Sequence, residues 1–209
     1  MIISFEGIDG SGKGTQAKKL LEYFESKNKP SILMDFPQYE TPTGKKIREY
    51  LDGKKKLDAL GIAKLFYEDQ LAQKEKIIEM ERNGIIIILD RYVLSTKVYQ
   101  GAKANPEEKE KIMNEIAKLQ KNLPKPDLTI VFDLPVEESA KRIMARGRKT
   151  DIHEKNLEYL IRVRNLYLET AKKENHPIIK CIEKNHYKTI EEIFKETIEA
   201  IKEKTGLIF

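Results

Sequence analysis

The sequence predicts an α/β fold, a three-layer sandwich in which helices cover both faces of a five-stranded parallel sheet. Short apolar runs alternate along the chain with longer segments of helical periodicity, the pattern that right-handed crossover connections produce. The run 85–89 consists of aliphatic residues only, so both of its faces must be covered, as happens in a parallel sheet. No repeat or linker divides the 209 residues, and we expect a single domain over 1–209.

The apolar runs and the periodic segments define the predicted elements in order. The predicted strands are 2–5, 31–34, 85–89, 128–132 and 178–182. The predicted helices are 13–27, 58–83, 106–122, 136–145, 154–174 and 189–204. Pro106, followed by two glutamates, is typical of a helix start. Pro124 and Pro126 end that helix before the next strand.

The composition indicates a soluble globular protein, because 35% of the residues are charged and 40% are hydrophobic. The formal net charge is +5, yet the lysines are spread along predicted helices without a basic-aromatic stripe, so no nucleic-acid partner is expected. No apolar run is long enough to cross a membrane, so no membrane partner is expected. A strand at the start leaves no room for a signal peptide, and the single Cys181 suits a reducing compartment, which together predict a cytoplasmic location.

The loop between the first predicted strand and the first predicted helix is typical of phosphate binding. Its residues fit G-x-x-x-x-G-K and are Gly7, Ile8, Asp9, Gly10, Ser11, Gly12, Lys13, Gly14 and Thr15. The glycines let successive N–H groups surround an anion, and the helix N-terminus adds partial positive charge. We therefore expect a fold of the P-loop NTPase type that binds ATP. The last motif position, usually Ser or Thr for magnesium, is Gly14, and Thr15 follows one step later.

Further functional residues are expected just after the other strands, because ligands in such sheets bind at the carboxyl ends of the strands. Phe36 and Pro37 come after the second strand, Asp90 and Arg91 after the third, and Asp133 after the fourth. Between two predicted helices, the segment 142–153 is rich in arginine and is predicted to form a flexible lid over bound phosphates. Its arginines are Arg142, Arg146 and Arg148. Such a lid would neutralise charge on the transferring group and exclude water.

These pieces together resemble the thymidylate kinase family of nucleoside monophosphate kinases, over nearly the whole chain. The resemblance rests on the stretches 5–10, 36–37, 123–128 and 146–164, and most specifically on Asp90-Arg91-Tyr92 followed by Ser95, Tyr99 and Gln100. It implies transfer of the ATP γ-phosphate to dTMP in dTTP synthesis, with Mg²⁺ and by a homodimer. The substrates would be the small molecules ATP and dTMP.

The resemblance also implies roles for individual residues. The catalytic residues would be Lys13, Asp9, Arg91, Arg146 and Arg148, and Asp90 and Thr15 would hold the metal. The acceptor would be bound by Phe36, Pro37, Phe66, Gln70, Arg91, Ser95, Tyr99 and Gln100. Phe66 would stack on the base, Tyr99 would crowd the 2′ position of the sugar, and Asp9 would accept from the 3′-hydroxyl. Gln70 and Gln100 are planar amides that can donate and accept at the base edge.

Four positions depart from the family's pattern. They are Gly14 in the loop, Tyr39 and Gln70 where many members have arginines, and Ile152 where many have a lid arginine. Arg48 or Lys45 would replace the phosphate-binding arginine missing at position 39. Two other functions stay open at this stage. One is a kinase for another monophosphate, such as dUMP, CMP or AMP, and the other is a P-loop ATPase that acts as a switch.

Overall fold

A computed structural model describes residues 1–145, 147, 150–154 and 156–206 of the chain. Its main sheet confirms the expected five parallel strands, in the order β2-β3-β1-β4-β5. These strands are β1 Ile2–Glu6, β2 Ser31–Asp35, β3 Ile86–Asp90, β4 Leu128–Asp133 and β5 Ile178–Lys180. The last predicted strand ends early, because β6 Ile182–Glu183 turns away and pairs antiparallel with β7 His186–Tyr187.

Helices join and flank these strands in the three-layer arrangement that the sequence predicts. They are α1 Lys13–Ser26, α2 Pro42–Leu51, α3 Ala59–Leu71, α4 Lys74–Arg82, α5 Val93–Lys103, α6 Pro106–Gln120, α7 Val136–Ala145, α8 Leu157–Lys173 and α9 Ile190–Thr205. The single helix predicted over 58–83 is two helices, of which α3 packs against α2 and α5 whereas α4 packs on β3. The sequence analysis missed α2 and α5. Most residues of α5 are buried, so it lacks the amphipathic stripe that reveals a surface helix.

Two buried layers of side chains hold the helices to the sheet. On one face, Phe5 and Phe132 of the sheet pack against Leu20 of α1 and Ile201 of α9. On the other face, Val131 lies in a cluster with apolar residues of α5, α7 and α8, and α4 packs over β3 and its two neighbouring strands. Successive residues of β1 point into different clusters, as the pleat of a strand buried on both faces requires.

The strand order places three functional loops at one edge of the sheet. Since β1 lies between β3 and β4, the loop after β1 lies beside the loops after β3 and β4. Backbone hydrogen bonds lock this edge: the Arg91 amide donates to the Phe5 carbonyl at 2.9 Å, and the Phe36 amide donates to the Asp90 carbonyl at 3.0 Å. The expected site residues after the first three strands are therefore neighbours in space.

Gly44, in the first turn of α2, has no room for a side chain. The Gly44 amide donates to the N-cap hydroxyl of Thr41 at 2.9 Å. A Cβ on Gly44 would lie 1.9 Å from the Gln38 carbonyl oxygen, which is backbone and cannot rotate away. This contact presses α2 against the loop that follows β2.

We therefore expect Gly44→Ala to lower the free energy of unfolding by roughly 1–3 kcal/mol through overpacking. At an ordinary helical site the same change would raise it by about 1 kcal/mol. Urea unfolding measures the difference, and Lys46→Ala on the exposed side of the same helix is the control, expected within about 0.5 kcal/mol of the original chain. A Gly44→Ala protein at least as stable as the original would contradict the prediction.

Candidate active site

One cavity of about 740 Å³ opens at the carboxyl ends of the strands. It brings together most of the site residues predicted from the sequence, from the phosphate loop to α5. Those that line it are Asp9, Gly10, Gly12, Lys13, Gly14, Thr15, Phe36, Pro37, Phe66, Gln70, Asp90, Arg91, Ser95, Tyr99 and Gln100. Gly7, Ile8 and Ser11 belong to the loop but lie beneath its surface, buried. The cavity is large enough for two small ligands side by side.

The phosphate loop is held open by its glycines and by contacts from β4 and α7. Gly7 has φ +136°, and a Cβ there would lie 2.5 Å from the Phe132 carbonyl oxygen, so only glycine fits. From α7, the Ser139 hydroxyl donates to the Asp9 carbonyl at 2.6 Å, and Arg142 donates to the Gly10 carbonyl at 3.3 Å. These two contacts from α7 fix the carbonyls of the loop from outside the cavity.

Lys13 is the cation within the loop. Its side chain is buried, and its Nζ donates to the Ile8 carbonyl at 3.1 Å. Burial lowers the pKa of Lys13 to about 8, against the opposing attraction of Asp90 and Asp9. A bound polyphosphate would add negative charge beside this ammonium and favour its charged form. Burying the Lys13 ammonium costs free energy, and attraction to a bound phosphate would offset that cost.

Arg91 is the centre of a charged cluster beside the phosphate loop. Its backbone is left-handed, with φ +68°, at the junction of β3 and α5. The guanidinium forms an ion pair with Asp9 at 3.0 Å and donates to the hydroxyls of Ser95 at 3.1 Å and Tyr99 at 3.3 Å. The Tyr99 hydroxyl also donates to Asp9 at 3.3 Å. Four of the predicted residues thus meet in one hydrogen-bonded group.

Glu6 supports this group from below and is a residue that the sequence analysis missed. Its carboxylate is fully buried and accepts from the Tyr92 amide at 2.9 Å, the Ser95 hydroxyl at 2.5 Å and the Tyr167 hydroxyl at 3.3 Å. Burial raises the pKa of Glu6, while these donors and Arg91 oppose the rise. The sequence did offer a signal for this role: Glu6 is a carboxylate at the end of a mostly apolar strand, directly before a phosphate loop.

Gln70 and Gln100 lie buried in the wall of the cavity, away from the phosphate loop. The Gln70 side chain is 2% exposed and Gln100 is 0% exposed. Gln70 has its Nε2 3.4 Å from the Thr96 hydroxyl and its Oε1 buried without a hydrogen-bond partner in the described part of the chain. Both amide atoms of Gln100 are likewise buried and unpartnered among the described residues. Unsatisfied buried amides are costly, so they indicate a polar ligand here.

Thr96 is a second lining residue that the sequence analysis missed. It lies four residues before Gln100 on α5, so these two share one helical face, and both line the cavity. That spacing was a usable signal once α5 was known to be a helix. The spacing did not stand out because polar and apolar residues of α5 are buried alike.

The loop that carries Phe36 and Pro37 is anchored by a carboxylate of α3. The Gln38 amide donates to Asp69 at 2.9 Å, and Asp69 is buried, which raises its pKa. This bond fixes the loop relative to Phe66, which lies on the same helix and lines the cavity. The predicted acceptor residues of β2 and α3 are therefore one connected unit.

Arg48 is the better placed of the two cations expected to replace an arginine at position 39. Its guanidinium lies 3.6 Å from the centre of the Tyr39 ring, a cation–π contact, and both residues line the cavity. Lys45 is exposed and is not among the residues that line the cavity.

The end of the predicted lid, 150–154, lies against α2 at the rim of the cavity. The Ile152 amide donates to the Leu51 carbonyl at 3.0 Å, and the Asp151 carboxylate accepts from two following backbone amides at 2.8 Å. Burial raises the pKa of Asp151 to about 6. Asp151, His153 and Glu154 line the cavity, and the sequence analysis gave them no individual role although it predicted a lid over 142–153. Arg146 and Arg148 lie outside the described residues.

His153 is buried in a cage of aromatic rings. Its ring centre lies 5.9 Å from that of Tyr50, 5.5 Å from that of Tyr99 and 5.0 Å from that of Tyr159. Burial lowers the pKa of His153 to about 4, so the imidazole is neutral at physiological pH. A neutral ring suits this apolar environment, whereas an imidazolium would be desolvated without a counter-charge in contact.

Asp90 occupies the space that a side chain at position 14 would need. Its Oδ2 lies 2.9 Å from the Cβ that Gly14 lacks, so a carboxylate stands where many phosphate loops have a hydroxyl. Thr15 lies nearby in the same cavity lining. Among the residues that the structure describes, no group of three or more His, Cys, Asp or Glu forms a metal cage. One carboxylate with substrate phosphates is instead a common way to bind Mg²⁺.

Asp133, the polar residue after the fourth strand, has a structural partner outside the cavity. It binds Arg164 of α8 through two hydrogen bonds, at 2.6 and 3.1 Å. This paired geometry ties β4 to α8.

Comparison with known proteins agrees with the sequence resemblance. The family model described as thymidylate kinase matches residues 5–193. A probable thymidylate kinase of Pyrococcus horikoshii is 35% identical over 206 residues, covering 96% of this chain and 95% of the relative. A thymidylate kinase of Fervidobacterium nodosum is 36% identical over 203 residues, covering 95% and 97% of the two chains.

A solved structure is also similar. It is a thymidylate kinase of Candida albicans, described as having broad substrate specificity, which shares 31% sequence identity with this chain. The TM-score is 0.80, and the match covers 97% of this chain and 91% of the other. None of the helices in the described part of the chain has the length and apolar composition needed to span a membrane.

The neutral His153 predicts a pH dependence of stability. The folded pKa of about 4 is below the usual 6.5, so the unfolded chain takes up the proton first as the pH falls. Stability from this site is therefore complete above pH 6.5 and is lost toward pH 4. We expect the original chain to lose about 2 kcal/mol relative to His153→Phe between pH 8 and pH 5. Asp151 titrates with the opposite sign but is present in both proteins, so it cancels.

Urea unfolding of both proteins across this pH range measures the effect. Lys46→Ala is again a control, since it alters no group near the cage, and its stability should run parallel to that of the original chain. If the His153→Phe curve also ran parallel, His153 would not titrate as the structure indicates.

Proposed function

Because this chain belongs to the thymidylate kinase family, we propose that Lys13 and Arg91 carry phosphoryl transfer between two nucleotides bound in the one cavity. The enzyme is an ATP-dependent kinase that transfers the γ-phosphate of ATP to dTMP, giving ADP and dTDP. The observation that carries the assignment of residues is the cavity itself. The cavity extends from the phosphate loop to a region lined by the buried amides of Gln70 and Gln100. An ATPase switch would need only the part of the cavity at the phosphate loop.

On the donor side, the phosphates of ATP bind over the loop 7–15. The N–H groups of the loop and the N-terminus of α1 attract them, and Lys13 neutralises the outer phosphates. Asp90 and Thr15 are the residues that would hold Mg²⁺, and their oxygen atoms suit this ion. Such an ion neutralises charge on the phosphates when bound. Asp90 takes the position that a loop hydroxyl at residue 14 would otherwise have, which accounts for the glycine there.

On the acceptor side, Arg91 binds the monophosphate and Arg48 assists it. The contacts of Arg91 with Asp9, Ser95 and Tyr99 orient its guanidinium before substrate arrives, which reduces reorganisation during transfer. Glu6 holds that arrangement from beneath by accepting from the Tyr92 amide and the Ser95 hydroxyl.

The nucleoside of the acceptor extends from Arg91 toward the buried amides. Phe66 stacks on the base, and Phe36 and Pro37 close the same pocket. Tyr99 crowds the 2′ position, and Asp9 accepts from the 3′-hydroxyl. Gln70 and Gln100 meet the base edge, which would satisfy the amide atoms that are otherwise buried without partners.

The lid completes the site from above. Arg146 and Arg148 neutralise charge on the transferring group, and closure of 142–153 excludes water. Arg142 supports this role, because it already contacts the loop through the Gly10 carbonyl. The docking of Ile152 on Leu51 links the lid to the acceptor-binding helix α2.

We also propose that the enzyme works as a homodimer in the cytoplasm. The family resemblance supports the dimer. The free, buried thiol of Cys181 is compatible with a reducing compartment.

A coupled assay that follows ADP release tests the function across dTMP, dUMP, CMP and AMP. We expect dTMP to have the highest kcat/KM. The 5-methyl group in a close-fitting pocket contributes a margin of about 10- to 200-fold over dUMP. Faster turnover with CMP or AMP than with dTMP would contradict the acceptor assignment. ADP release at full rate without any acceptor would instead indicate an ATPase.

Lys13→Ala tests the donor side of the mechanism. We expect kcat to fall by ~10³-fold or more, since charge stabilisation supplies most of the acceleration in phosphoryl transfer. Lys27→Ala, at the far end of α1, is the matched control and should keep full activity. Thermal unfolding of both variants checks that they fold. A folded Lys13→Ala enzyme with near-normal kcat would exclude Lys13 from the transfer step.

A further inference from the structure

We propose that this enzyme also phosphorylates deoxynucleoside monophosphates whose pyrimidine carries an amino group at C4, in addition to dTMP. The reaction is unchanged: the bond from the γ-phosphorus to the β-bridging oxygen breaks, a bond to the acceptor phosphate oxygen forms, and ADP leaves. The inference rests on the proposed acceptor site and concerns which base edge that site accepts.

The first observation is that Gln70 is held by a partner that tolerates either orientation of its amide. The Nε2 of Gln70 lies 3.4 Å from the Thr96 hydroxyl, a long contact, and its Oε1 is buried without a partner in the described residues. A hydroxyl both donates and accepts. If the amide rotates by 180°, Thr96 can donate to Oε1 instead, and Nε2 then faces the space that Oε1 had.

The second observation is that nothing fixes the amide of Gln100. Its side chain is 0% exposed, and neither Nε2 nor Oε1 has a hydrogen-bond partner among the residues that the structure describes. Gln100 can therefore present either its donor or its acceptor to a ligand.

The two amides together match either of two pyrimidine edges. Thymine has an acceptor at O4 and a donor at N3, which fits a donor from Gln70 and an acceptor from Gln100. A 4-aminopyrimidine has a donor at N4 and an acceptor at N3, which fits an acceptor from Gln70 and a donor from Gln100. Gln70 presents its acceptor when Nε2 contacts Thr96, as in the structure, and presents its donor to thymine after the amide rotates. Neither edge leaves the C4 or N3 group of the base without a partner, and an unpaired group is the usual basis of strong rejection.

The other contacts of the acceptor do not distinguish the two edges. Phe66 stacks on the face of the ring, Tyr99 lies toward the sugar, and Arg91 binds the phosphate. An arginine at position 70 would have donors only, so it would meet the amino group with a donor and reject it. The neutral glutamine is thus the determinant of the broader specificity.

The experiment compares dTMP with 5-methyl-dCMP, which keeps the methyl group, sugar and phosphate and changes only the C4 and N3 edge. We expect the kcat/KM for 5-methyl-dCMP to lie within about 10³-fold of that for dTMP, because a site that strictly requires one edge rejects the other by 10⁴-fold or more. A larger difference, with dTMP active, overturns the inference. Failure with dTMP itself would overturn the proposed function instead.

Variants at position 70 move the ratio of the two kcat/KM values in opposite directions. Gln70→Arg should lower the ratio of 5-methyl-dCMP to dTMP by roughly 10- to 100-fold, and Gln70→Glu, with acceptors only, should raise it by a similar factor. Gln120→Arg, an amide on α6 outside the cavity, is the control and should leave the ratio unchanged. A ratio that both position-70 variants leave unmoved overturns the inference.

Binding in the absence of ATP gives a readout independent of turnover. Calorimetric titration of the original chain with each nucleotide should show that both bind, with dissociation constants within about 10³-fold of each other. If a position-70 variant fails to fold, the ratio in the original chain and this titration still decide the question. Absence of 5-methyl-dCMP binding beside clear dTMP binding overturns the inference.

Discussion

The candidate active site depends on placing opposite charges, buried or partly buried, beside one another where β1 and β3 end. Glu6 is fully buried, and Asp9 and Arg91 form an ion pair at 3.0 Å just above it. Buried charges are tolerated only with partners, so each of these groups requires the others. Serine and tyrosine hydroxyls complete the hydrogen bonding and extend it to α5 and α8. The guanidinium of Arg91 is thereby held in one orientation by contacts within the protein.

The sheet order makes that arrangement possible. Parallel strands end at the same edge, and β3 lies directly beside β1, so the phosphate loop and Arg91 become neighbours although they are far apart in sequence. The acceptor loop is attached to the same edge through the Phe36 amide and to α3 through Asp69. Backbone and buried side-chain bonds therefore hold the loops after β1, β2 and β3 together, an arrangement that suits the proposed transfer by positioning.

The two ends of the cavity differ in how well their polar groups are satisfied. At the phosphate end, the charged side chains already have partners within the protein, and ligand binding exchanges or adds contacts. At the base end, Gln70 and Gln100 keep buried amide atoms without partners in the described residues. A ligand with matching donors and acceptors would relieve the free energy cost of those atoms. The partnered charges at the phosphate end suit the proposed phosphoryl transfer, and the unpartnered amides of Gln70 and Gln100 suit the proposed recognition of the base.

The sequence by itself determined the features that depend on neighbouring residues. The phosphate loop, the five strands and the Asp90-Arg91 pair were all predictable, because glycine spacing and apolar runs act locally. Only the tertiary structure decided the burial of Gln70 opposite α5, the aromatic cage of His153 and the support of Arg91 by Glu6. Each of these joins segments far apart in the chain, and α5 itself was hidden because it is buried on most sides. Local patterns carry no information about which distant side chains will share a desolvated space.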